Sequence, residues 1–213
     1  MSGEDVPPTW LWATLGEVAE IGSGLTRHAG KRASSTKTAP LVSVAAVQAG
    51  WIDRDAIGEI RLLPEDNDKG ILENGDVLIV EGNGSLSHIG RTALWTLDLP
   101  GARHQNHIIR ARGGLASSPF IHRWLASPSG RNALVQRATS AAGLYTLSLS
   151  KVASLPVPVP GTNEQRRIVD KLDALFAHSK KAKESLDRIP ALLEKLKRSI
   201  LGAAFRGDLT KDW

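Results

Sequence analysis

Six histidines, at positions 28, 88, 104, 107, 122 and 178, are the side chains of this sequence best suited to holding a metal or moving a proton. Only His104 and His107 fall close together, and no carboxylate or cysteine accompanies them to complete a ligand set. No metal site is expected. Gly22-Ser23-Gly24 and Gly82-Asn83-Gly84 have the composition of phosphate-cradling loops, yet no Gly-Lys-Ser/Thr follows either, so there is no P-loop. Asp66-Asn67-Asp68 lacks the glycine and the closing glutamate that a calcium loop needs. There is no Gly-x-Ser-x-Gly elbow and no paired-carboxylate motif in a structural context. The expected chemistry is therefore recognition, with no catalytic residue.

The recognition signal is electrostatic. Net charge is +5, but its distribution says more. No acid lies between Glu20 and Asp53, where Arg27, Lys31, Arg32 and Lys37 stand. None lies between Asp98 and Glu164 either, a stretch holding Arg103, Arg110, Arg112, Arg123, Arg131, Arg137 and Lys151. The acids of the first two thirds crowd into Asp53 to Glu81. Such segregation predicts a basic face for a polyanion, nucleic acid being the commonest; a solvated surface without purpose is the alternative.

The elements that must position these residues read as α+β. Trp10 to Ile21 is a short amphipathic opening, and Gly22 to Thr38 a basic loop. Strands are expected at Leu41–Val47, Trp51-Ile52, Val77–Val80 (after the Asn74-Gly75-Asp76 turn), Gly90–Trp95, His107–Ala111 and Leu144–Leu149, and Glu59–Leu63 is another short apolar run. Two short helices are expected at Pro119–Leu125 and Arg131–Thr139. Pro156, Pro158 and Pro160 read as a stiff junction.

Beyond it, Ile168, Leu172, Leu175, Ser179, Ala182, Leu186, Ile189, Leu193, Leu196, Ile200 and Ala203 alternate steps of four and three. That is the heptad seam of a long coiled-coil helix. Thr162 and Gln165 stand in capping-box relation, and Gly207 is placed to end the helix in a left-handed conformation. Pro190 predicts a kink, since the heptad phase survives it. The division expected is residues 1–158 as a globular domain and 159–213 as a dimerising helical region. With no cysteine, no apolar window of eighteen residues and a start (Met1 to Pro8) that carries two acids and no apolar run, the reading is a cytoplasmic protein without disulfides, a signal peptide or a membrane span.

Leu155-Pro-Val-Pro-Val-Pro160, Asn163-Glu-Gln-Arg-Arg-Ile-Val169 and Lys171-Leu-Asp-Ala-Leu-Phe176 together resemble the conserved region of type I restriction–modification specificity (S) subunits. Leu193 to Leu201, Ala203-Ala-Phe-Arg-Gly-Asp-Leu209 and Trp213 are similar to the end of that region. Trp12-Ala-Thr-Leu-Gly-Glu-Val18, Asn74-Gly-Asp-Val-Leu-Ile79, Gln105-Asn106-His107, and Leu147-Ser148 ahead of Leu155-Pro156 resemble the family's target recognition domain. The likeness spans essentially the whole chain, but full-length members carry two recognition domains and two helical regions where this chain has one of each.

The resemblance implies a half-size subunit, or a natural or cloned half of a longer one, that is non-catalytic, reads double-stranded DNA and pairs with itself. The expected target is a bipartite palindrome. Expected partners are a methyltransferase (M) and a restriction (R) subunit; S-adenosylmethionine, ATP and Mg belong to these partners, and none is bound by this chain. Neither an Asn-Pro-Pro-Tyr-type motif nor a glycine-rich cofactor strand is present. The DNA-contact candidates are Arg27, Lys31, Arg32, Lys37, Arg91, Arg103, Gln105, Asn106, Arg110, Arg112 and Arg123. Of these, Arg27, Arg32, Arg103, Gln105, Asn106 and Arg112 are the candidates for base edges. The dimer seam comprises Leu172, Leu175, Ala182, Leu186, Ile189, Leu193, Leu196 and Ile200. A competing reading is a coiled-coil adaptor or regulator that competes with a full-length S subunit without reading DNA itself.

Overall fold

Val77–Val80 is apolar at every position because both of its faces are covered. Val77 and Ile79 enter one core cluster, Leu78 and Val80 another. A strand buried on both sides needs no alternation of polar residues. In the computed structural model, which describes residues 6–27, 32, 35–83, 85, 88–141, 143–209 and 211, this strand is central in the largest sheet.

The elements in chain order are β1 (Leu11–Thr14), α1 (Leu15–Val18), β2 (Ala19–Ser23), β3 (Thr38–Val42), β4 (Gly58–Arg61), β5 (Val77–Val80), β6 (Gly82–Asn83), β7 (Thr92–Leu94), β8 (Arg103–His104) and β9 (Ile108–Gly113). They continue with α2 (Ser118–Ala126), α3 (Pro128–Arg137), β10 (Thr139–Ala141), β11 (Leu144–Thr146), α4 (Leu149–Ala153), β12 (Pro156–Val159) and α5 (Thr162–Phe205). The four-stranded sheet runs β2-β9-β5-β7; β4-β3-β8 and β10-β11-β6 form smaller sheets, and β1 pairs with β12. The α+β class expected from the sequence is the class observed.

Helix α2 supplies Phe120, Ile121 and Leu125 to the cluster on the Val77/Ile79 face. Ser127 then caps α3: its hydroxyl accepts from the Gly130 N–H at 3.2 Å and donates to the Trp124 carbonyl at 2.6 Å. On the opposite face, Val42, Val47, Leu72, Trp95 and Ile108 pack with Leu78 and Val80. A third, small cluster of Leu25, Ala39, Leu41, Ile60 and Leu62 lies under the β3–β4 region.

Several segments differ from expectation: Trp51-Ile52 forms no strand, only an isolated bridge from Ile52 to Val47, and the strand expected over Leu144–Leu149 stops at Thr146, Leu149 opening a helix. The opening segment is not one amphipathic element but β1, α1 and β2 in succession, the one-turn α1 closed by the Glu17 carboxylate, which accepts from the Thr14 N–H at 2.7 Å. The strand expected from Leu41 begins at Thr38 and ends at Val42, its place in the sheet fixed by antiparallel pairing with β4. The prolines expected to form a stiff junction instead build β12, in register with β1 from Leu11↔Val159 to Thr14↔Pro156. Alternation makes this possible. Pro156 and Pro158 have no N–H to give, so Val157 and Val159 alone can donate.

The chain forms two compact units, residues 1–169 and 170–213. In the second, α5 runs unbroken through Pro190, and residues 170–205 span about 54 Å. Its end is as expected. Gly207 has φ +74°, the Asp208 N–H reaches the Ala203 carbonyl and the Gly207 N–H the Ala204 carbonyl, the paired bonds of a Schellman motif. The expected capping box at its start is absent. Glu164 and Gln165 N–H groups bond to the Gly161 carbonyl, and the Gln165 side chain is committed elsewhere. No helix among the described residues is long and apolar enough to cross a membrane.

Candidate nucleic-acid interface

The basic loop after β2 is held by a buried cation of its own. Arg32 is 7% exposed. Its guanidinium donates to the Thr26 carbonyl at 3.2 Å, to the Arg61 carbonyl at 2.6 Å and to both carboxylate oxygens of Asp66, at 2.5 and 3.1 Å. Three chain segments thus meet on one side chain. Asp66 also accepts from the Leu63 N–H, and the Arg32 hydrogen bond holds its pKa below the usual carboxylate value. Arg32 was expected among the DNA contacts; its guanidinium is instead occupied by these buried partners.

Other arginines from the acid-free stretches are spent in the same way. Arg103 is buried and donates to the Lys69 carbonyl at 2.7 Å. Arg110 is buried between the Glu20 carboxylate and the Ile71 carbonyl. Arg112 forks onto buried Asp76 at 2.8 and 2.9 Å and reaches Glu73 at 2.6 Å; the Asp76 hydrogen bond raises its pKa. Arg91 donates to the Val44 carbonyl at 3.2 Å and is half-buried. Their positions in sequence gave the expectation of a basic face. The acidic partners of Arg32, Arg110 and Arg112, far away along the chain, cancel part of it.

What remains available is narrower. Arg27 and Lys37 are exposed at the two ends of the loop. Gly24 fixes where the first end goes: a Cβ there would stand 1.9 Å from the His104 carbonyl oxygen, so only glycine allows the approach. That contact lays Leu25 alongside Gln105, with the Asn106 N–H on the Leu25 carbonyl at 2.9 Å and the Gln105 N–H on the Val42 carbonyl at 3.0 Å. The backbone is used; the half-buried side-chain amides of Gln105 and Asn106 have no hydrogen-bond partner among the described residues. At the other end, the Leu62 N–H bonds to the Lys37 carbonyl, and Lys37 lines a groove of about 460 Å³ with Ser35, Thr36, Asn67 and Arg103. Arg27, Lys37, Gln105 and Asn106 are thereby attached to one continuous framework. Arg123 lies half-buried on α2, apart from that framework in the fold, and Lys31 falls outside the described residues.

The histidine pair has a structural part. His104 is fully buried, its Nδ1 3.0 Å from the Ile108 carbonyl, and burial pushes its pKa down to about 4. His107 is exposed on the following turn. Among the described residues no group of three His, Cys, Asp or Glu side chains is placed to hold a metal.

Sequence reasoning missed the use of Gln165, which is 2% exposed. Its Oε1 accepts from the Ser117 N–H at 2.9 Å, and its Nε2 donates to the Pro160 carbonyl at 3.0 Å and the Leu115 carbonyl at 3.3 Å. The first turn of α5 is so tied to the loop that starts α2. A glutamine amid charged residues at a helix start reads equally well as a cap, and nothing local separates the two. Further along α5, the expected seam residues Leu175, Leu186, Ile189, Leu193, Leu196 and Ile200 are all exposed, Leu186 by 63%. Ala182 is exposed and Leu172 half-buried.

Comparison with known proteins bears on this arrangement. The model of the type I restriction modification DNA specificity domain matches residues 7–190. The specificity subunit of the type I restriction enzyme EcoKI from Escherichia coli (strain K12) is 31% identical over 180 residues, covering 82% of this chain and 38% of that protein. That of StySPI from Salmonella potsdam is 30% identical over 159 residues, covering 73% of this chain and 34% of that protein. Among solved structures, the HsdS subunit from Thermoanaerobacter tengcongensis superposes with a TM-score of 0.70 at 20% identity over 95% of this chain and 50% of its own. A chain from a type I R-M system, solved for its assembly and conformational transition, gives 0.68 at 22% identity over 97% and 48%. The chain thus spans well under half of these curated relatives and about half of these solved chains.

Proposed function

The chain belongs to the type I restriction–modification DNA specificity family, and from that premise we propose that it is a sequence-reading, non-catalytic subunit for double-stranded DNA. Two copies joined through α5 present one recognition unit each, so that a bipartite, palindromic target is read by a two-fold symmetric protein. A methyltransferase and a restriction subunit, carrying S-adenosylmethionine, ATP and Mg, act where this subunit positions them.

The observation that carries the reading is the division of labour among the basic residues. Arg32, Arg103, Arg110 and Arg112 are consumed in holding the fold. The exposed cations Arg27 and Lys37 and the uncommitted amides of Gln105 and Asn106 are carried on one backbone framework. Exposed cations neutralise phosphates and fix register, whereas amides can make the paired hydrogen bonds that distinguish an adenine edge. The test is binding of labelled duplex DNA across a salt series, with the chain alone and with the methyltransferase subunit of its system. Affinity that falls as a power of salt concentration supports DNA readout. Negligible, salt-insensitive binding in both cases defeats it and leaves the adaptor reading.

A further inference from the structure

Arg32, Arg103 and Arg110 are all buried, and one of them lacks a counter-ion. Arg32 meets Asp66, and Arg110 meets Glu20. Arg103 is 6% exposed, yet its Nη1 donates to the Lys69 carbonyl, a neutral acceptor, and its Nε has no partner. The fold uses this side chain through one donor and leaves its charge unmatched. A guanidinium removed from water without an anion beside it is destabilising. The penalty is lifted if the place of the counter-ion is kept for a ligand.

Such a place adjoins Arg103. It lines the groove of about 460 Å³, together with Thr36, Lys37, Asn67 and Asp66. Asp66 cannot serve as its counter-ion in full, because both carboxylate oxygens are taken by Arg32. No carboxylate can come from the loop that leads into Ser35, since the sequence holds no acid between Glu20 and Asp53. Glu65 and Asp68 are exposed on the neighbouring turn and are not among the lining residues. The side chains of Thr36, Lys37 and Asn67 are exposed and make no hydrogen bond among the described residues. Asn67 is moreover held at φ +37°, a backbone conformation unfavourable for a residue with a Cβ.

A guanidinium, an ammonium, a hydroxyl and an amide thus border one space in which positive charge is in surplus. An oxyanion with several acceptor oxygens matches that set, and a phosphate group suits the pairing of a guanidinium with an ammonium. The groove is larger than a bare phosphate, and Leu63 and Pro64 give it an apolar wall. We infer that the groove is a site for a phosphate ester, its anionic group held by Arg103 and Lys37 and its organic part lying against Leu63 and Pro64. Resting on the DNA reading above, the ester is a backbone phosphate of the duplex; a free nucleotide offers the same chemistry.

The test uses the full chain, with inorganic phosphate and deoxyadenosine monophosphate as probes at constant ionic strength. The thermal midpoint should rise with the logarithm of probe concentration, and further with the ester than with phosphate. Phosphate also favours compact states in general, an effect common to parent and variants, so the difference between them is what is read. Lys37→Met, made on an exposed side chain, and Arg103→Met should each lose the extra rise. Arg103→Met starts from a lower midpoint because it gives up the Lys69 carbonyl, but only its response to the probe counts. An equal rise in the parent and Lys37→Met overturns the site, and an ester no better than phosphate overturns the apolar wall's part in it. Duplex DNA that displaces the nucleotide assigns the groove to the backbone; duplex bound beside a retained nucleotide assigns it to a free one. A probe response without any duplex binding upholds the site and defeats the DNA reading. Salt-dependent duplex binding without a probe response defeats the site and leaves that reading standing.

Discussion

Gln165 offers the sharpest test of how the first unit is put together, because its amide faces a donor on one side and two acceptors on the other. Replacing it by alanine deletes the bonds to Ser117, Pro160 and Leu115 and leaves a buried N–H and two carbonyls without that partner. With about 1 kcal/mol per neutral hydrogen bond and a further penalty for the orphaned donor, Gln165→Ala should cost about 3 kcal/mol. The isosteric Gln165→Glu should cost more at neutral pH, not less. Its carboxylate still accepts from Ser117 but turns a second charged oxygen on the Pro160 and Leu115 carbonyls in a buried site. Acid should reverse this. Burial and the two carbonyls raise the folded-state pKa of the new carboxyl above its unfolded value near 4.3, so its protonated form is the stable one. The stability of the variant relative to the parent is therefore regained as pH falls towards the unfolded value and lost as pH rises through the folded one. Urea unfolding at a series of pH values reads the effect, a 3 kcal/mol loss moving the midpoint by about 1.5 M. A Gln165→Glu variant as stable as the parent at pH 7, or a gap that widens on acidification, would refute the clamp.

Other consequences follow from the same geometry. His104, with a pKa depressed to about 4 by burial, is neutral when folded, so the unfolded chain binds the extra proton between about 6.5 and 4; stability should fall by about 3 kcal/mol as pH drops through that window, and His104→Leu should flatten the profile there. Asp66→Ala strands the Arg32 guanidinium in the interior and should cost about 3–5 kcal/mol by denaturant titration, whereas Arg32→Met combined with Asp66→Leu should recover most of the loss. Arg27→Ala and Lys37→Ala, made on exposed side chains, should leave unfolding unchanged yet each lower the slope of log affinity against log salt for duplex DNA by about 0.9; an unchanged slope removes that residue from the interface.

How much of this was legible in the sequence follows the range of the interactions. Val77–Val80 was readable because a β-branched run after an Asn-Gly turn is a local signal, and Gly207 because a helix stop needs φ > 0 at one position. The proline segment misled because proline composition argues for a linker, while pairing with β1 depends on a strand at the far end of the sequence. The candidate site was legible as chemistry and not as geometry. Arg32, Arg110 and Arg112 are indistinguishable in type from Arg27, and only the fold brings Asp66, Glu20 and Asp76 to them. Gln165 was hidden for the same reason, its partners at Leu115 and Ser117 lying some fifty residues upstream.

The most direct measurement of the central claim is selection from a random duplex library by this chain bound to the methyltransferase subunit of its system. The account predicts enrichment of a single bipartite sequence whose half-sites are inverted copies, with enrichment lost when Gln105 and Asn106 are both changed to alanine. Recovery of no sequence above the starting pool would contradict the reading of this chain as the specificity element. An enriched site without two-fold symmetry would contradict its action as a symmetric pair.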